Sequence, residues 1–344
     1  MRRSFGRALL VAFLVLAGCA RPAVAPGPTP TPSPSPSPTP LPVYSVLNGV
    51  QIKPRTGDHR IAAVMIDNYP INARPQSGLR DADIVYEVEA EGGITRYMAL
   101  YLEAQPKQIG PVRSARTYFV DLARPYNPLF AHAGENNDVW AMLADLRESG
   151  FADMDQIVGT PEAFWRDPSR DMPHNLYTSI AKMRATGPKY GYKDTPFVAE
   201  EFAFTPDPAP TASPPEVTVT FWNKYSVRFH PKANGYQRII AGSVQHDLND
   251  PTPYSVADII AVWIPAKVLD ELGDLEMNVY GSFPALLIRD GQAVPATWYA
   301  PNPNRLPLLL DKAGEALALA PGQIYVEVLP QGGTVKTGKN VWSY

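Results

Sequence analysis

Hydrophobic and polar side chains repeat along this chain with the periods of both strands and helices. A continuous apolar run over residues 61–66 is typical of a strand buried on both faces. Residues 83–89 alternate between polar and apolar side chains, and Gly92-Gly93 separates them from another strand-like run over 95–102, which predicts a hairpin. Apolar positions with helical spacing predict helices over 114–122, 137–147 and 177–185, the second with Trp140 on its apolar face.

The order of these elements predicts the fold class and the domains. Strands interleaved with helices indicate an α/β layered domain over residues 44–205, and the Pro-rich stretch 206–215 is typical of a linker. Over residues 216–344 strand patterns dominate, which predicts a mostly β domain built as a sandwich or partly open barrel. The predicted fold class is therefore α+β, with an N-terminal α/β layered domain followed by a mostly β C-terminal domain.

The first 18 residues have the pattern of a bacterial export signal. Basic residues precede an apolar run over 8–16 that is too short to span a bilayer, and small residues lead to Cys19. Residues 16–19, Leu-Ala-Gly-Cys, resemble the bacterial lipobox, in which the cysteine is lipidated and becomes the mature N-terminus. We therefore predict a signal peptide over 1–18 and an extracytoplasmic lipoprotein anchored to the bacterial cell membrane through Cys19. The alternative is an ordinary signal peptide with an incidental cysteine.

Composition and charge add to this picture. Ten of the 38 prolines lie between Pro22 and Pro42, so we expect residues 19–43 to form a disordered, semi-rigid tether. Loss of residues 1–18 removes three arginines and changes the net charge from −3 to −6, so the lipid itself must hold the protein at the membrane. The acidic balance argues against binding of nucleic acid. The single cysteine excludes an intramolecular disulfide and a cysteine-rich metal site.

The first polar stretch with candidate chemistry lies at a predicted strand-to-helix junction. Arg113, Ser114 and Arg116 stand there within four residues of one another. Backbone N–H groups and the helix dipole favour an anion at such a position, and two guanidinium groups strengthen the preference. This predicts an anion site for phosphate, pyrophosphate or carboxylate. The alternative is that both arginines pair with carboxylates at the edge of the core, such as Glu87 or Glu91.

A second polar stretch follows a short predicted strand. His132 is a candidate general base or metal ligand, and Glu135 and Asp138 are candidate ligands for a hard cation. Structural roles account for the same residues equally well. The histidine would then be a satisfied core residue, and Asn136 or Asn137 would cap the following helix.

A third polar stretch is the loop before the predicted helix over 177–185. Loops dense in charged and aromatic side chains often line binding sites. The alternative is a loop held together by its own ion pairs. The candidate site residues in this stretch are Arg166, Arg170, His174, Asn175 and Tyr177.

Acidic residues mark the first two predicted strands. The period of two places Asp83, Glu87 and Glu89 on one face, and Asp67 ends the preceding apolar strand. Asp67, Asp83 and Glu87 complete a candidate polar cleft, although such a row of carboxylates also occurs on solvent-exposed faces or beside arginine across a hairpin. The sequence contains no Gly-rich phosphate loop, HExxH or GxSxG motif, so no cofactor follows from its residues.

Several short segments carry a resemblance to a known family. They are AVMIDN at 63–68, RPQSGL at 74–79, ADIVYE at 82–87, GITR at 93–96, GPVRSAR at 110–116, PKANGY at 231–236 and LIRDG at 287–291. Together they resemble the YerB-like bacterial lipoproteins, which have two domains of unknown function, and the resemblance covers nearly all of residues 45–330. It implies an accessory or ligand-binding factor of the cell envelope, with cell-wall synthesis proteins or an anionic envelope ligand as partners.

A weaker likeness is to the LytR-CpsA-Psr phosphotransferases, which move polyprenyl-linked glycopolymers onto peptidoglycan. Asp67, Asp83, Arg113 and Arg116 follow in a comparable order, but the Pro-Arg-Asp signature is missing because position 115 is alanine. This likeness implies an enzyme, either a phosphotransferase or a pyrophosphate-lipid hydrolase, that holds Mg²⁺ at Asp67 or Asp83 and pyrophosphate at the arginines. The sequence leaves open a binding lipoprotein, such an enzyme and a purely structural scaffold.

Overall fold

The computed structural model describes residues 27, 42–53, 59–197, 202–205, 215–222, 224–233, 235–271, 273–289 and 291–344. The predicted signal peptide, Cys19, nearly all of the predicted tether and most of the predicted linker lie outside these residues. The chain from Pro42 to Tyr344 forms one compact unit. Within the described ranges, none of the helices is both long and apolar enough to cross a membrane.

The elements of this unit are mainly strands. Within the described residues, the three α-helices are α1 Thr117–Ala123, α2 Asn137–Glu148 and α3 Ile180–Thr186. The strands are β1 Val43–Tyr44, β2 Gln51–Ile52, β3 Ala62–Asp67, β4 Ile84–Glu89, β5 Thr95–Tyr101, β6 Leu129–His132, β7 Ala152–Asp155, β8 Phe164–Arg166, β9 Leu176–Thr178, β10 Val217–Thr220, β11 Ser226–Lys232, β12 Gly235–Ile240, β13 Ser243–Val244, β14 Asp258–Trp263, β15 Ala266–Val268, β16 Leu275–Met277, β17 Gly281–Arg289, β18 Gln292–Ala300, β19 Leu308–Leu310, β20 Ile324–Leu329, β21 Thr334–Thr337 and β22 Asn340–Ser343.

A mixed ten-stranded sheet organises the fold, in the order β19-β18-β17-β14-β20-β4-β5-β3-β6-β7. All six residues of β3 are buried, which confirms the strand predicted from the apolar run. Its alternate residues enter two different hydrophobic clusters, Ala63 and Met65 in one and Val64 and Ile66 in the other. β3 therefore needs apolar side chains on both faces, and it runs parallel to β6, which runs parallel to β7.

Five strands of this sheet, β14, β17, β18, β19 and β20, come from the C-terminal part of the chain. β20 pairs in parallel with β4 on one side and with β14 on the other. Strands from before and after the predicted linker therefore share one continuous sheet. The limits 44–205 and 216–344 stay a prediction about chain segments, since nearly all of the linker lies outside the described residues. The predicted α+β class is confirmed, with all three helices in the N-terminal part and strands dominating the C-terminal part.

A six-stranded antiparallel sheet, in the order β13-β12-β11-β10-β21-β22, forms the second layer. The alternating burial of β10 and β11 turns Val219 and Phe229 toward the large sheet. There they share a hydrophobic cluster with Ile259 of β14 and Tyr325 of β20. The C-terminal residues therefore form a layer over one face of the sheet to which they also contribute strands.

Two helices begin later in the chain than the sequence predicts. The backbone N–H of Arg113 donates to Met65 and that of Ala115 donates to Gly134, so this segment is extended and α1 begins only at Thr117. Residues 176–178 form β9, and α3 therefore begins at Ile180, after Ser179 has capped its N-terminus.

The prediction for α2 is confirmed in its position but not in its whole apolar face. The side chain of Asn136 caps the helix by accepting from the N–H of Val139 at 3.1 Å. Val139 and Leu143 are fully buried, whereas Trp140 is 53% exposed. The buried face of α2 is therefore narrower than the apolar face that the sequence predicts, because only one side of the helix contacts the sheet.

Candidate functional site

Three parallel strands bring polar side chains to one edge of the large sheet. Asp67 ends β3, His132 ends β6 and Asp155 ends β7. Because carboxyl ends of parallel strands meet at the same edge, these residues and the loops after them lie together. In open sheets of this kind the carboxyl edge is where ligands usually bind.

Asp67 organises the first group of side chains at this edge. It is fully buried, and its Oδ2 accepts a hydrogen bond of 2.6 Å from Nδ1 of His174. The same oxygen lies 3.1 Å from Nε of Arg113, and Oδ1 accepts from the backbone N–H of Tyr69 at 2.9 Å. These partners offset the burial of the carboxylate. Since Nδ1 of His174 donates to Asp67, Nε2 is the ring atom left to accept or donate a proton.

Two more arginines lie against the loop that follows β3. Arg74 donates from Nε to Oδ1 of Asn68 at 2.9 Å. Arg170 donates to the backbone oxygens of Ala73 and Pro75 at 3.3 and 2.9 Å. Positive charge at the end of β3 therefore comes both from this loop itself, through Arg74, and from the distant loop that carries Arg170. We call Arg74, Arg113, Arg170 and His174 together the cationic patch.

His132 organises the second group at the same edge. Burial acts to lower the pKa of His132, but the hydrogen bond to Asp153 and the charges of Asp153, Asp155 and Glu135 outweigh it and raise that pKa. Burial, followed by the nearby charge of Asp155, raises the pKa of Glu135. His132, Glu135 and Asp155 each offer a ligand atom within 4.8 Å of the others, so these three residues could hold a metal ion. Asp138 lies exposed in the first turn of α2 and is not part of this group.

Arg116 has different partners from Arg113. Its NH2 lies 2.6 Å from Oε1 of Glu91, and its Nε lies 3.5 Å from Asp274. Arg96 pairs with the same oxygen of Glu91. The two arginines predicted to share one anion site therefore have different partners. Arg113 lies against Asp67, whereas Arg116 pairs with Glu91, as the alternative interpretation of this stretch predicts.

The other predicted residues of the arginine stretch and of the loop before α3 have structural partners. The backbone oxygen of Ser114 accepts from Arg96 at 3.3 Å. Arg166 donates to Oδ1 of Asn175 at 2.8 Å, and Asn175 donates to two backbone oxygens of its own loop. Tyr177 is buried in β9. These contacts hold the loop that carries Arg170 and His174.

Asp83 lies at the opposite end of the sheet from Asp67. Asp67 and Val88 face the same residue of β5, Arg96, whereas Asp83 precedes β4 and accepts from the backbone N–H of Leu102 at 2.7 Å. At the rise of a strand, the distance from residue 83 to residue 88 is about 16 Å. Asp67 and Asp83 therefore do not share one cation.

Glu87 belongs to a buried ion network that the sequence analysis did not predict. Its Oε2 accepts from NH2 of Arg238, whose side chain is completely buried, and Nε of Arg238 lies 3.9 Å from Glu327. Burial, followed by the nearby Glu87, raises the pKa of Glu327 well above its usual value. The sequence does hold one signal for the burial of Arg238. In a strand every second residue lies on the same face, and in β12 this places Arg238 on the buried face with Tyr236 and Ile240.

Four residues at the carboxyl edge were also missed. Asp153 and Asp155 stand two positions apart in β7, a spacing that places both on one face of a strand. Tyr69 and Arg74 lie in the loop directly after a buried strand. Tyr69 and Arg74 could have been found from their position after a buried strand, because the loops at the carboxyl ends of strands carry ligand contacts in α/β sheets.

Comparisons with known proteins cover most of the chain. The family described as "Protein of unknown function (DUF3048) N-terminal domain" matches residues 47–193, and its "C-terminal domain" counterpart matches residues 217–326. The protein named "Putative lipoprotein YerB" from Bacillus subtilis is 31% identical over 291 residues, which are 83% of this chain and 85% of that protein.

A solved structure agrees with these matches. The crystal structure of the YerB protein from Bacillus subtilis is similar with a TM-score of 0.75 and 28% identity, and the match covers 86% of this chain and 99% of that one. The resemblance to YerB-like proteins is thereby confirmed. The likeness to the LytR-CpsA-Psr phosphotransferases has no support in these matches, and the distance between Asp67 and Asp83 gives a geometric reason to set it aside.

Proposed function

The chain belongs to the DUF3048 family, and from this premise we propose that it is a membrane-anchored extracytoplasmic lipoprotein that binds an amphiphilic anion of the cell envelope. The anion is a phosphate or pyrophosphate group that carries an apolar tail. The family relative is named as a lipoprotein, which supports the anchor predicted at Cys19. We also propose that the protein acts as an accessory factor for cell-wall synthesis proteins.

The observation that carries the proposal is the state of Arg113. Within the described residues its one ion pair uses Nε and Asp67, so its two terminal nitrogens have no partner there. The side chain is 26% exposed, so these donors are within reach of a ligand. Guanidinium groups bind phosphate oxygens with two parallel hydrogen bonds, and Nε of this one lies 3.1 Å from Oδ2 of Asp67.

The rest of the cationic patch adds charge around Arg113. Nε2 of His174 has no hydrogen-bond partner among the described residues, and its other nitrogen is fixed by Asp67. Arg74 contacts Asn68 in the loop after β3, and Arg170 contacts two backbone oxygens of that loop. Three arginines therefore lie against Asp67 or the loop that follows it. This local excess of positive charge contrasts with the net charge of −3 for the whole chain and favours a bound anion over a general attraction to anionic membranes.

Exposed apolar side chains beside the patch support the choice of an amphiphilic ligand. Tyr69, which stacks on His174 with ring centroids 5.0 Å apart, is 37% exposed. Ile71 in the same loop is 77% exposed, and Met172, two residues before His174, is 68% exposed. Large apolar side chains that are exposed together around a polar site are typical of surfaces that contact a ligand or a membrane. A lipid tail would cover them while its head group lies against Arg113.

Two soluble probes test the head group and the tail separately. Inorganic pyrophosphate and farnesyl pyrophosphate are titrated into the full-length chain in detergent, with Arg113→Gln as the variant and exposed Arg305→Gln as the matched control. A charged hydrogen bond is worth about 1.5–3 kcal/mol, so R113Q should weaken both probes by roughly ten- to hundredfold. R305Q should bind both as the wild-type chain does.

A second variant tests the apolar contribution. Ile71→Ser should weaken farnesyl pyrophosphate and leave inorganic pyrophosphate unchanged, because only the first probe carries a tail. Mass spectrometry of lipid that co-purifies with the wild-type chain and with R113Q then identifies the natural ligand. Failure of both probes to bind, or equal binding by R113Q and wild type, contradicts the proposal.

A further inference from the structure

The tautomer of His132 is set by its surroundings. Nε2 lies 2.7 Å from Oδ1 of Asp153, and Arg147 pairs with the other oxygen of that carboxylate. A carboxylate held by arginine accepts hydrogen bonds, so Nε2 carries the proton and donates it to Asp153. Nδ1 then either has a lone pair, in the neutral ring, or carries a second proton that it donates to the backbone oxygen of Gly134, 3.2 Å away. The histidine is completely buried, so the orientation of that lone pair is fixed by packing.

Three oxygen atoms face this lone pair. The backbone oxygen of Gly134 lies 3.2 Å from Nδ1, Oε2 of Glu135 lies 3.5 Å away and Oδ1 of Asp155 lies 3.8 Å away. Gly134 has a φ of +75°, a left-handed conformation that reverses the chain and brings Glu135 back over the ring. Within the described part of the chain, Nδ1 has no donor to accept from, so four electron-rich atoms converge on one point.

Glu135 gives an independent sign that something is bound there. Its side chain is only 7% exposed, and its buried Oε2 makes no hydrogen bond within the described residues. A buried carboxylate oxygen without a donor is unfavourable unless a cation lies beside it. Asp155, in contrast, is fixed because its Oδ1 accepts from the backbone N–H groups of Gly134 and Ile157, each at 3.0 Å.

We propose that Nδ1 of His132, a carboxylate oxygen of Glu135 and Oδ1 of Asp155 bind a divalent transition-metal ion, Zn²⁺ or Mn²⁺. Their ligand atoms lie within 4.8 Å of one another, close enough for side-chain movements of about an ångström to bring them to metal–ligand distances of roughly 2.0–2.2 Å. One imidazole with two carboxylates suits these ions better than Mg²⁺ or Ca²⁺, which prefer oxygen alone. Asp153 has the position of the carboxylate that orients a metal-binding histidine.

Direct titration tests this site. The full-length chain, purified in detergent without a histidine tag and stripped with a chelator, is titrated with ZnCl₂ or MnCl₂ alone by calorimetry. We expect saturable binding of one ion per chain and a higher unfolding temperature with the ion present. Glu135→Gln should weaken binding by more than about tenfold. Oε2 of Glu135 makes no hydrogen bond within the described residues, so this variant should fold as the wild type does.

Two further variants separate the site from its surroundings. His132→Gln keeps a donor for Asp153 but removes the lone pair, and it should also weaken binding by more than about tenfold. Asp138→Asn makes the same charge change as E135Q on an exposed residue of α2 and should bind within about twofold of wild type. An absence of saturable binding would show that a proton alone occupies Nδ1 and would overturn the proposal. Equal weakening in D138N and E135Q would overturn it as well, because binding would then follow surface charge.

Discussion

Glu327→Gln tests the charge state of the buried network around Arg238. The side chains of Glu87 and Glu327 are completely buried, and the two residues occupy paired positions on neighbouring strands. Glu87 also accepts from Asn68 and Thr95 in addition to Arg238, whereas neither oxygen of Glu327 accepts a hydrogen bond within the described residues. We therefore expect Glu327 to hold a proton.

The direction of the pH effect follows from the pKa of Glu327. Burial and then the nearby Glu87 raise that pKa well above its usual value. When a group binds its proton more tightly in the folded than in the unfolded protein, the free energy of unfolding falls as the pH rises above the unfolded-state pKa of that group. This pKa is about 4.3 for glutamate. The loss amounts to about 1.4 kcal/mol per pH unit until the pH reaches the pKa of the folded state. Glutamine does not titrate and avoids this loss.

Urea unfolding of wild type and E327Q at a series of pH values from 4 to 7 measures the effect. The stability of the variant relative to wild type should rise with pH, at up to about 1.4 kcal/mol per unit above pH 4.5. Glu276→Gln, whose side chain is 62% exposed on β16, is the matched control and should show no such trend. A loss of about 3–5 kcal/mol in E327Q at pH 7 would refute the reasoning, because it would show an ionised Glu327 paired with Arg238.

Two other predictions concern the membrane anchor and the packing of α2. Cys19→Ser should move the protein from the membrane fraction to the soluble fraction of cells, and continued retention at the membrane would contradict lipidation of Cys19. Leu143→Ala should reduce the free energy of unfolding by about 2–5 kcal/mol, because Leu143 is fully buried, whereas half-exposed Trp140→Ala should change it by less than about 1 kcal/mol. Comparable losses in the two variants would contradict the burial seen in the structure.

Local pattern was enough to predict the strands of the large sheet but not their assembly. The apolar run of β3 and the hairpin of β4 and β5 follow from residue spacing alone. The insertion of β20 between β4 and β14 depends on its pairing with β4, a segment more than 200 residues earlier in the chain, for which one sequence holds no signal. Helix starts were misplaced at α1 and α3 because backbone hydrogen bonds to distant strands keep residues 112–115 and 176–178 extended.

The residue types of the candidate site could be predicted from the sequence, but not which of these residues lie together in the fold. Arg238 is fully buried because its carboxylate partner Glu87, 151 positions away in the chain, lies beside it in the fold. Asp67 and His174, which are 107 positions apart, form the pair that orients Arg113. Charged residues are buried only where such partners exist, so their burial is decided by tertiary contacts and not by local composition.

The separation of Arg113 from Arg116 shows why neighbouring charges did not make one site. The segment that carries them is extended up to Arg116, and in an extended chain residues three positions apart point to opposite sides. Arg116 therefore meets Glu91, which accepts from Arg96 as well, and its charge is satisfied within the fold. Arg113 lies against Asp67 through Nε alone, and its outer nitrogens have no partner among the described residues. The same reasoning gives R113Q, and not a change of both arginines, as the substitution that tests anion binding while the pair of Arg116 with Glu91 stays intact.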